Sequence, residues 1–239
     1  FKQKTAYEIR LSLVGSEMCI RDRPKVEPWG DIQKLRLEKE VVGFFISGHP
    51  LDEYKVEMDN FCTCTLDKVE SYINKEVTIA GIVTKASEQT AKNGKQFGRL
   101  AIEDYNGNLE IMLFGEEYIK YRQWLSVGTF LFLKCQVVES KFRIGTIEVK
   151  PTNIELLQDV RKKRAKRLQI TINPETVDKA TIALLEDLIS GNSGGCDLRM
   201  LLSYNGMSVE LFSRKFKVNP SNEFIKSILE IEGVQYKLG

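Results

Sequence analysis

The segment between residues 77 and 157 constrains the fold most, because apolar side chains recur there at every second position. Such alternation, with β-branched residues as in Val77, Ile79 and Val83, indicates strands with one face toward a core. Turn signals at Asn93-Gly94 and at 104–107 separate the first three strands. The predicted elements are strands at 77–83, 96–103, 109–114 and 129–138, a short helix at 118–125, and a fifth strand at 143–149 with an extension to 157.

Five strands with a helix between the third and the fourth are the element order of an OB-fold barrel. Such barrels bind single strands with a basic groove and with aromatic side chains on which bases stack, mainly on the face of strands two and three and in the flanking loops. Phe114 is assigned to the barrel core together with the alternating aliphatic residues. The predicted nucleic-acid contacts in and around the barrel are Lys92, Lys95, Phe97, Arg99, Tyr105, Lys134, Lys141, Phe142 and Arg143.

Charge supports only a local binding track. Residues 75–160 carry eleven basic and eleven acidic side chains, so any affinity for nucleic acid should be weak and strongly dependent on salt. Residues 161–167 are different, because six of the seven are Lys or Arg. This run fits a solvated linker and a phosphate-binding extension of the barrel equally well. Its candidate phosphate contacts are Arg161, Lys162, Lys163 and Arg164.

The last segment, residues 168–239, predicts a small α+β domain. Its elements follow the order βαββα, with strands at 168–172, 197–202 and 208–212 and helices at 176–190 and 222–231. Nine acidic residues outnumber seven basic ones, which predicts no contribution to DNA binding. The apolar residues near its end predict a docking surface for another protein, the alternative being that they close the domain's own core. They are Phe224, Ile228, Ile231, Val234 and Tyr236.

A helix precedes the barrel. Leu35, Val41 and Phe45 recur at helical spacing, and Gly48 followed by Pro50 predicts its end. At the end of this helix stands the segment Ser47-Gly-His-Pro-Leu51, and a second short helix and the barrel pattern follow it. This combination resembles the C-terminal end of the proteins of one family, the bacterial replicative DNA polymerase III alpha subunit. The resemblance covers about residues 24–239.

The resemblance implies a role in replication without catalysis. In the family, the magnesium-binding carboxylates lie far upstream, so this segment should contain no catalytic residue, no metal site and no cofactor. The barrel should bind single-stranded DNA, and the last domain should dock the clamp-loader tau subunit. The family's sliding-clamp peptide lies shortly before Pro28-Trp29, where this chain differs, so no clamp-binding residue is assigned.

Residues 1–23 resemble translated sequencing adapter and are excluded from the fold prediction. The predicted chain is therefore mixed α and β: a short helical segment, a five-stranded OB-fold barrel and a small α+β domain. Its predicted parts are the adapter-like segment 1–23, a helical linker region at 24–74, the OB-fold at 75–160, a basic linker at 161–167 and a docking domain at 168–239.

The remaining composition excludes several classes of protein. The cysteines at 62 and 64 have no second ligand pair, so the thiols should be reduced and without metal, and the single histidine, His49, should be structural. The longest apolar runs fall short of the roughly 20 residues of a membrane helix, and a cytoplasmic location is expected.

Two alternatives remain open. One is the anticodon-binding part of a class II aminoacyl-tRNA synthetase, which shares Gly94-Lys95, Asp104, Gly107 and Glu110. The other is a stand-alone single-strand-binding protein.

Overall fold

The computed structural model of the protein describes residues 29–43, 45–91, 94–140, 146–204 and 207–239, which fall into two compact units that divide after Gly48. The helices are α1 Asp31–Val42, α2 Lys55–Phe61, α3 Gly115–Tyr121, α4 Leu157–Arg164, α5 Lys179–Gly191 and α6 Asn222–Leu229. The strands are β1 Glu76–Thr90, β2 Gln96–Glu103, β3 Asn108–Phe114, β4 Phe130–Glu139, β5 Ile147–Leu156, β6 Arg167–Ile172, β7 Ser193–Tyr204, β8 Met207–Val218 and β9 Val234–Leu238. In this described part, no helix is long and apolar enough to cross a membrane. The adapter-like segment 1–23 lies outside the described residues.

Helix α1 ends earlier than Gly48, where the sequence predicted its end. Gly43 takes a left-handed conformation at φ 92°, and its N–H donates to the carbonyl of Lys39. Glycine adopts this conformation without a Cβ clash, so the first available glycine ends the helix. The carboxylate of Glu38 then accepts the N–H groups of Ile46 and Ser47 at 3.2 and 3.0 Å. These bonds hold the segment back against its own helix, and hydrogen bonding from Ser47 lowers the pKa of Glu38.

The first sheet confirms the predicted OB-fold order. Among the described residues it runs β3-β2-β1-β4-β5, entirely antiparallel, with β3 also in contact with β5 and α3 between β3 and β4. We call it the barrel sheet. Its core side chains alternate with outward ones along each strand, as in Leu100, Ile102, Ile111 and Leu113, which are all at most 1% exposed. Gly81 is needed where β1 crosses β2, because a Cβ there would lie 2.7 Å from the carbonyl oxygen of Glu103.

A buried carboxylate anchors the turn between β2 and β3. Asp104 is 4% exposed and accepts the N–H groups of Asn106 and Gly107 within the turn, each at 2.8 Å. It also accepts the N–H of Leu66 at 2.8 Å, at the start of the 3-10 helix Leu66–Tyr72. Three backbone donors compensate for the burial of this charge. The Asp104 and Gly107 pattern therefore has a structural function here.

The second sheet runs β8-β7-β6-β9 within the described residues, and we call it the terminal sheet. Strands β6 and β7 are parallel, and the connection between them is helix α5. Helices α5 and α6 cover one face of the sheet through buried residues such as Leu168, Ile170, Leu185 and Ile228. The predicted βαββα order is present and is extended by β9, which pairs antiparallel with β6.

Strand β9 shows that the predicted docking surface at the end of the chain is wrong. The apolar residues assigned to that surface lie in the core of the terminal domain or pack against it. Phe224, Ile228, Ile231 and Val234 are 1%, 0%, 8% and 6% exposed, and Tyr236 packs against the same core. The physical reason is the register of β9, which places Val234 beside Ile172 and Tyr236 beside Ile170 on the helix-covered face. The alternative considered from the sequence, closure of the domain's own core, is what the structure shows.

Candidate nucleic-acid interface

The outer face of β1, β2 and β3 forms a grid that we call the platform. Cross-strand pairing sets it out in three rows, because residues paired in register point to the same side of a sheet. From the end of the β1–β2 hairpin where the two strands are connected, the rows are Gln89, Phe97 and Phe114, then Ser87, Arg99 and Met112, then Lys85, Ala101 and Glu110. The platform therefore combines two aromatic rings, a thioether and two basic side chains.

Two phenylalanines form the aromatic end of the platform. The ring centroids of Phe97 and Phe114 lie 5.3 Å apart with an interplanar angle of 26°, an offset stack. Phe114 is 55% exposed, so the assignment of this residue to the core was wrong. The alternation of β3 explains the correction. Leu109, Ile111 and Leu113 pack toward the core, so Phe114 must point outward.

One of the two basic side chains of the platform, Arg99, is paired with Glu110 within it. The Nε of Arg99 donates to Glu110 at 3.2 Å, with the two side chains 43% and 53% exposed. Such an exposed ion pair stabilises the fold little and exchanges easily for another anion. Lys85 is exposed on the adjacent strand, in the row of Glu110. The guanidinium of Arg99 is therefore oriented across the platform and available to a phosphate that displaces the carboxylate.

A groove of about 500 Å³ runs beside the platform, between β3 and β5. Met112 and Phe114 form its apolar wall, and Lys150 lies on the opposite wall. Ser140 and Thr146, which border the segment between β4 and β5, line the same groove. In OB-folds the connections between strands four and five and between strands one and two flank the ligand. The groove thus continues the platform toward the place where an OB-fold holds a single strand.

Several predicted contacts fall at or near the platform. Phe97 and Arg99 lie on it, and exposed Lys95 directly precedes β2 at its aromatic end. Lys92, Lys141, Phe142 and Arg143 lie outside the described residues.

Tyr105 and Lys134 do not join the platform. The ring of Tyr105 contacts that of His49 at a centroid distance of 4.4 Å, and its hydroxyl donates to Asp52 at 2.9 Å. Burial and this hydrogen bond raise the pKa of Tyr105. Lys134 pairs with Glu76 at 2.8 Å and lies beside Thr78, whereas β2 pairs with β1 only from Ile82 onward. Both residues make structural contacts instead.

The basic run at 161–167 begins inside helix α4 and is partly occupied by ion pairs. The Nε of Arg161 lies 2.7 Å from Glu57, in a pair whose side chains are 17% and 4% exposed. Arg164 donates to Glu155 at 3.0 Å and lies 4.7 Å from the ring centroid of Phe132. Two of the four arginine and lysine residues predicted to contact phosphate therefore hold the fold together. Lys162 and Lys163 are exposed, and Lys163 lies 3.6 Å from Glu155.

Sequence reasoning missed Lys85 and Met112 on the platform, and it also missed an apolar surface on the terminal sheet. Exposed apolar side chains there belong to the β7–β8 hairpin, on the side that continues the helix-covered core face. We call this surface the hairpin face. It consists of Tyr204, Met207, Val209 and Leu211, which are 45%, 67%, 55% and 46% exposed. The sequence carried a signal for this surface, because Met207, Val209 and Leu211 occupy every second position along β8.

The part of the chain that the structure describes contains neither a metal-binding cluster nor a disulfide. Cys62, Cys64, Cys135 and Cys196 are free, and no group of three His, Cys, Asp or Glu side chains there is placed to hold a metal ion. Burial raises the pKa of Cys62 and of Cys135 to about 12. Thiols with such pKa values are protonated at neutral pH and react slowly.

Two segments of the chain match models of known protein families. Residues 77–157 match the family model of an OB-fold nucleic acid binding domain. Residues 168–239 match that of the DNA polymerase III alpha subunit, C-terminal domain. The mitochondrial single-stranded DNA binding protein Rim1 of S. cerevisiae is a similar solved structure, at 18% identity and a TM-score of 0.29, over 35% of this chain and 95% of that one. Residues 77–157 thus resemble an OB-fold nucleic acid binding domain, and residues 168–239 resemble the C-terminal domain of a DNA polymerase III alpha subunit.

Curated relatives make the relationship more specific. DNA polymerase III subunit alpha of Vibrio cholerae is 27% identical over 172 residues, which are 72% of this chain and 15% of the relative. The Escherichia coli K12 protein of the same name is 25% identical over 211 residues, 87% of this chain and 18% of the relative. The resemblance to the bacterial DNA polymerase III alpha subunit is therefore confirmed. The chain spans less than a fifth of the length of these relatives.

Proposed function

We propose that this chain acts in DNA replication as the C-terminal part of a DNA polymerase III alpha subunit and binds single-stranded template DNA on the platform. The observation that carries the proposal is the stack of half-buried Phe97 with exposed Phe114 beside the groove of about 500 Å³. Every base has a π-face, so such a stack binds bases with little sequence preference. Duplex DNA keeps its bases paired and offers no such face, which favours single strands.

The proposal assigns different tasks to the rings and to the charges. Phe97 and Phe114 supply stacking, and Met112 extends the apolar surface. Arg99 and Lys85 contact phosphates, with Arg99 exchanging Glu110 for the DNA backbone. Because the barrel segment carries equal numbers of positive and negative charges, its binding should be weak at high salt.

The test is the affinity of the whole chain for a dye-labelled oligothymidine, measured by fluorescence anisotropy with a duplex of equal length as competitor. Replacing both rings (F97A/F114A) should weaken binding about tenfold or more, because stacking contributes about 1–3 kcal/mol per base. The control replaces two exposed apolar residues away from the platform, I119A/V127A, which are 69% and 57% exposed. Equal affinities of these two variants, both with the melting temperature of the parent, would refute the platform as the DNA site.

We further propose that the terminal domain docks a protein partner, the clamp-loader tau subunit, through the hairpin face. The match of residues 168–239 to the polymerase C-terminal domain and the exposed apolar hairpin support this assignment. Exposed apolar side chains gathered on one projecting surface are typical of a protein interface. The previously predicted residues Phe224, Ile228, Ile231 and Val234 do not serve here, because they are buried.

Docking is tested with purified tau and with a substitution pair in the hairpin, M207S/V209T, which keeps the strand but removes apolar surface. Capture of tau should fall, with no change in melting temperature. The matched control I182S/L184S removes apolar surface from helix α5, where these residues are 56% and 51% exposed. Equal capture by both variants would contradict the assignment.

A further inference from the structure

The face of the terminal sheet that α5 and α6 leave uncovered has its own arrangement of side chains, and we call it the open face. Cross-strand pairing lines up Lys237 on β9, Gln169 on β6, Arg199 on β7 and Phe212 on β8 in a single row. These positions alternate with the buried residues Leu168, Ile170 and Leu198, so they point away from the helices. The row crosses the whole sheet and ends at an aromatic ring.

The aromatic end of this row is exposed. Phe212 is 61% exposed although it lies in a strand of a folded sheet. The guanidinium of Arg199 lies over this ring, 4.5 Å from its centroid, and also donates to Glu210 at 2.7 Å, which holds it against the ring. The two planar groups form a surface on which a base can stack.

The net charge of residues 168–239 conceals how the charges are distributed. Seven of the nine acidic residues lie in the helices and turns, and only Asp197 and Glu210 lie in strands. Both are paired, Asp197 with Lys217 at 2.9 Å and Glu210 with Arg199 at 2.7 Å. Arg167 and Lys237 on the same face are exposed and form no ion pair with any residue the structure describes. The open face is therefore basic although its domain is not.

We infer that the open face is a second platform for single-stranded nucleic acid, with Phe212 and Arg199 as the stacking group and Arg167 and Lys237 as phosphate contacts. An aromatic ring on the uncovered face of a four-stranded sheet, flanked by basic and amide side chains, is a general solution for binding unpaired bases. A groove of about 310 Å³ lined by Thr171, Ser203 and Gln235 continues this face and supplies hydroxyl and amide groups. The site is separate from the platform and runs against the expectation, from net charge, that residues 168–239 contribute nothing to DNA affinity.

The hairpin face and the open face lie on opposite sides of the same two strands. Met207, Val209 and Leu211 alternate with Glu210 and Phe212 along β8. A partner protein and a nucleic acid strand therefore do not compete for the same side chains. This separation lets one experiment distinguish the two ligands.

The test uses the whole chain with the barrel platform disabled, F97A/F114A, so that the binding that remains reports on the terminal sheet. Phe212→Ala in this background should reduce the affinity for oligothymidine at least about fivefold, because one stacked base is lost. Phe212→Leu, which keeps an apolar side chain on β8, serves if the alanine variant melts early. Unchanged affinity with the parent's melting temperature would overturn the inference.

The basic residues of the open face provide a second, independent test. In the same background, R167Q/K237Q should lower the slope of log affinity against log salt by about 1.4, since each phosphate contact to a single strand contributes about 0.7. K179Q/K226Q removes the same charge from the helices and should leave the slope unchanged. Equal slopes for the two charge variants would also overturn the inference. So would loss of tau capture by F212A without loss of DNA affinity, because the open face would then be a protein surface.

Discussion

The barrel sheet and the terminal sheet each leave one face uncovered, but they arrange that face differently. On the platform two neighbouring strands contribute Phe97 and Phe114, which stack on each other, and the nearby Arg99 is paired with Glu110. On the open face one ring, Phe212, meets the guanidinium of Arg199, and the exposed Arg167 and Lys237 lie on the same face two and three strands away. The first surface relies on stacking and the second on charge, so the two should differ in their dependence on salt.

The two regions are also linked through a buried ion pair. Arg161 on α4, directly after the barrel, is paired with Glu57 on α2 and donates to the carbonyl of Pro220 at 3.0 Å and to Asn222 at 2.6 Å, in the terminal domain. A guanidinium with this many partners orients the elements that surround it. The comparison between the sheets therefore concerns two surfaces on one compact unit, residues 49–239.

The largest effect is expected from breaking that link. Arg161→Ala should destabilise the protein by about 3–5 kcal/mol, because the carboxylate of Glu57, 4% exposed, would be left buried without its partner. Chemical denaturation of the whole chain measures this. The neighbouring Lys162→Ala is the control, since Lys162 is exposed. If the two variants unfold at the same denaturant concentration, the buried pair does not join the two regions.

The next effect tests whether the end of the chain is core. Ile228→Ala should cost about 2–5 kcal/mol, because the side chain is fully buried and leaves a cavity. Leu229→Ala, one residue later on α6 and 57% exposed, should change the unfolding free energy by less than about 0.5 kcal/mol. Similar unfolding free energies for the two variants would mean that Ile228 is not part of the core, and the docking interpretation of the terminal helix would then stand again.

The part of the fold that alternation determines was predictable. Strand β2 spans Gln96–Glu103, as expected, since Leu100 and Ile102 alternate with polar or small residues. Strand β1 extends to Thr90, beyond the predicted residue 83. The prediction ended too early because the second half of β1 is exposed and pairs with β2 without contributing large core side chains. The end of α1 was misplaced because two glycines carried the same signal, and the earlier one, Gly43, took the left-handed conformation.

What the sequence did not reveal depends on contacts between distant residues. Strand β9 has only five residues and inserts beside β6, more than sixty positions earlier, so no local pattern assigns its face. The ion pair of Arg161 with Glu57 likewise joins positions far apart in sequence. For the site, Phe114 was recoverable from the alternation of β3, whereas the row from Lys237 to Phe212 required the register of the terminal sheet.

The smallest effect concerns the start of α5, where Asp178 caps the helix by accepting the N–H of Thr181 at 2.8 Å. This hydrogen bond lowers the pKa of Asp178 below its ordinary value of 3.8. The stabilisation is therefore present above pH 3.8 and is lost as the pH falls through the lower, folded-state pKa. Asp178→Ala should lower the melting temperature slightly at neutral pH and leave it unchanged in strong acid. A deficit that persists in acid, or an equal one in Asp187→Ala at neutral pH, would contradict the cap.

The most direct measurement of the central claim is photochemical cross-linking of the whole chain to a single strand that carries iodouridine, followed by mass spectrometry of the linked peptides. The iodinated base cross-links preferentially to an aromatic ring stacked on it. The account predicts linkage at Phe97 or Phe114 that is competed by unlabelled single strand and not by duplex. Linkage confined to other residues, with Phe97 and Phe114 unmodified at saturating DNA, would contradict the assignment of the barrel platform as the DNA-binding site.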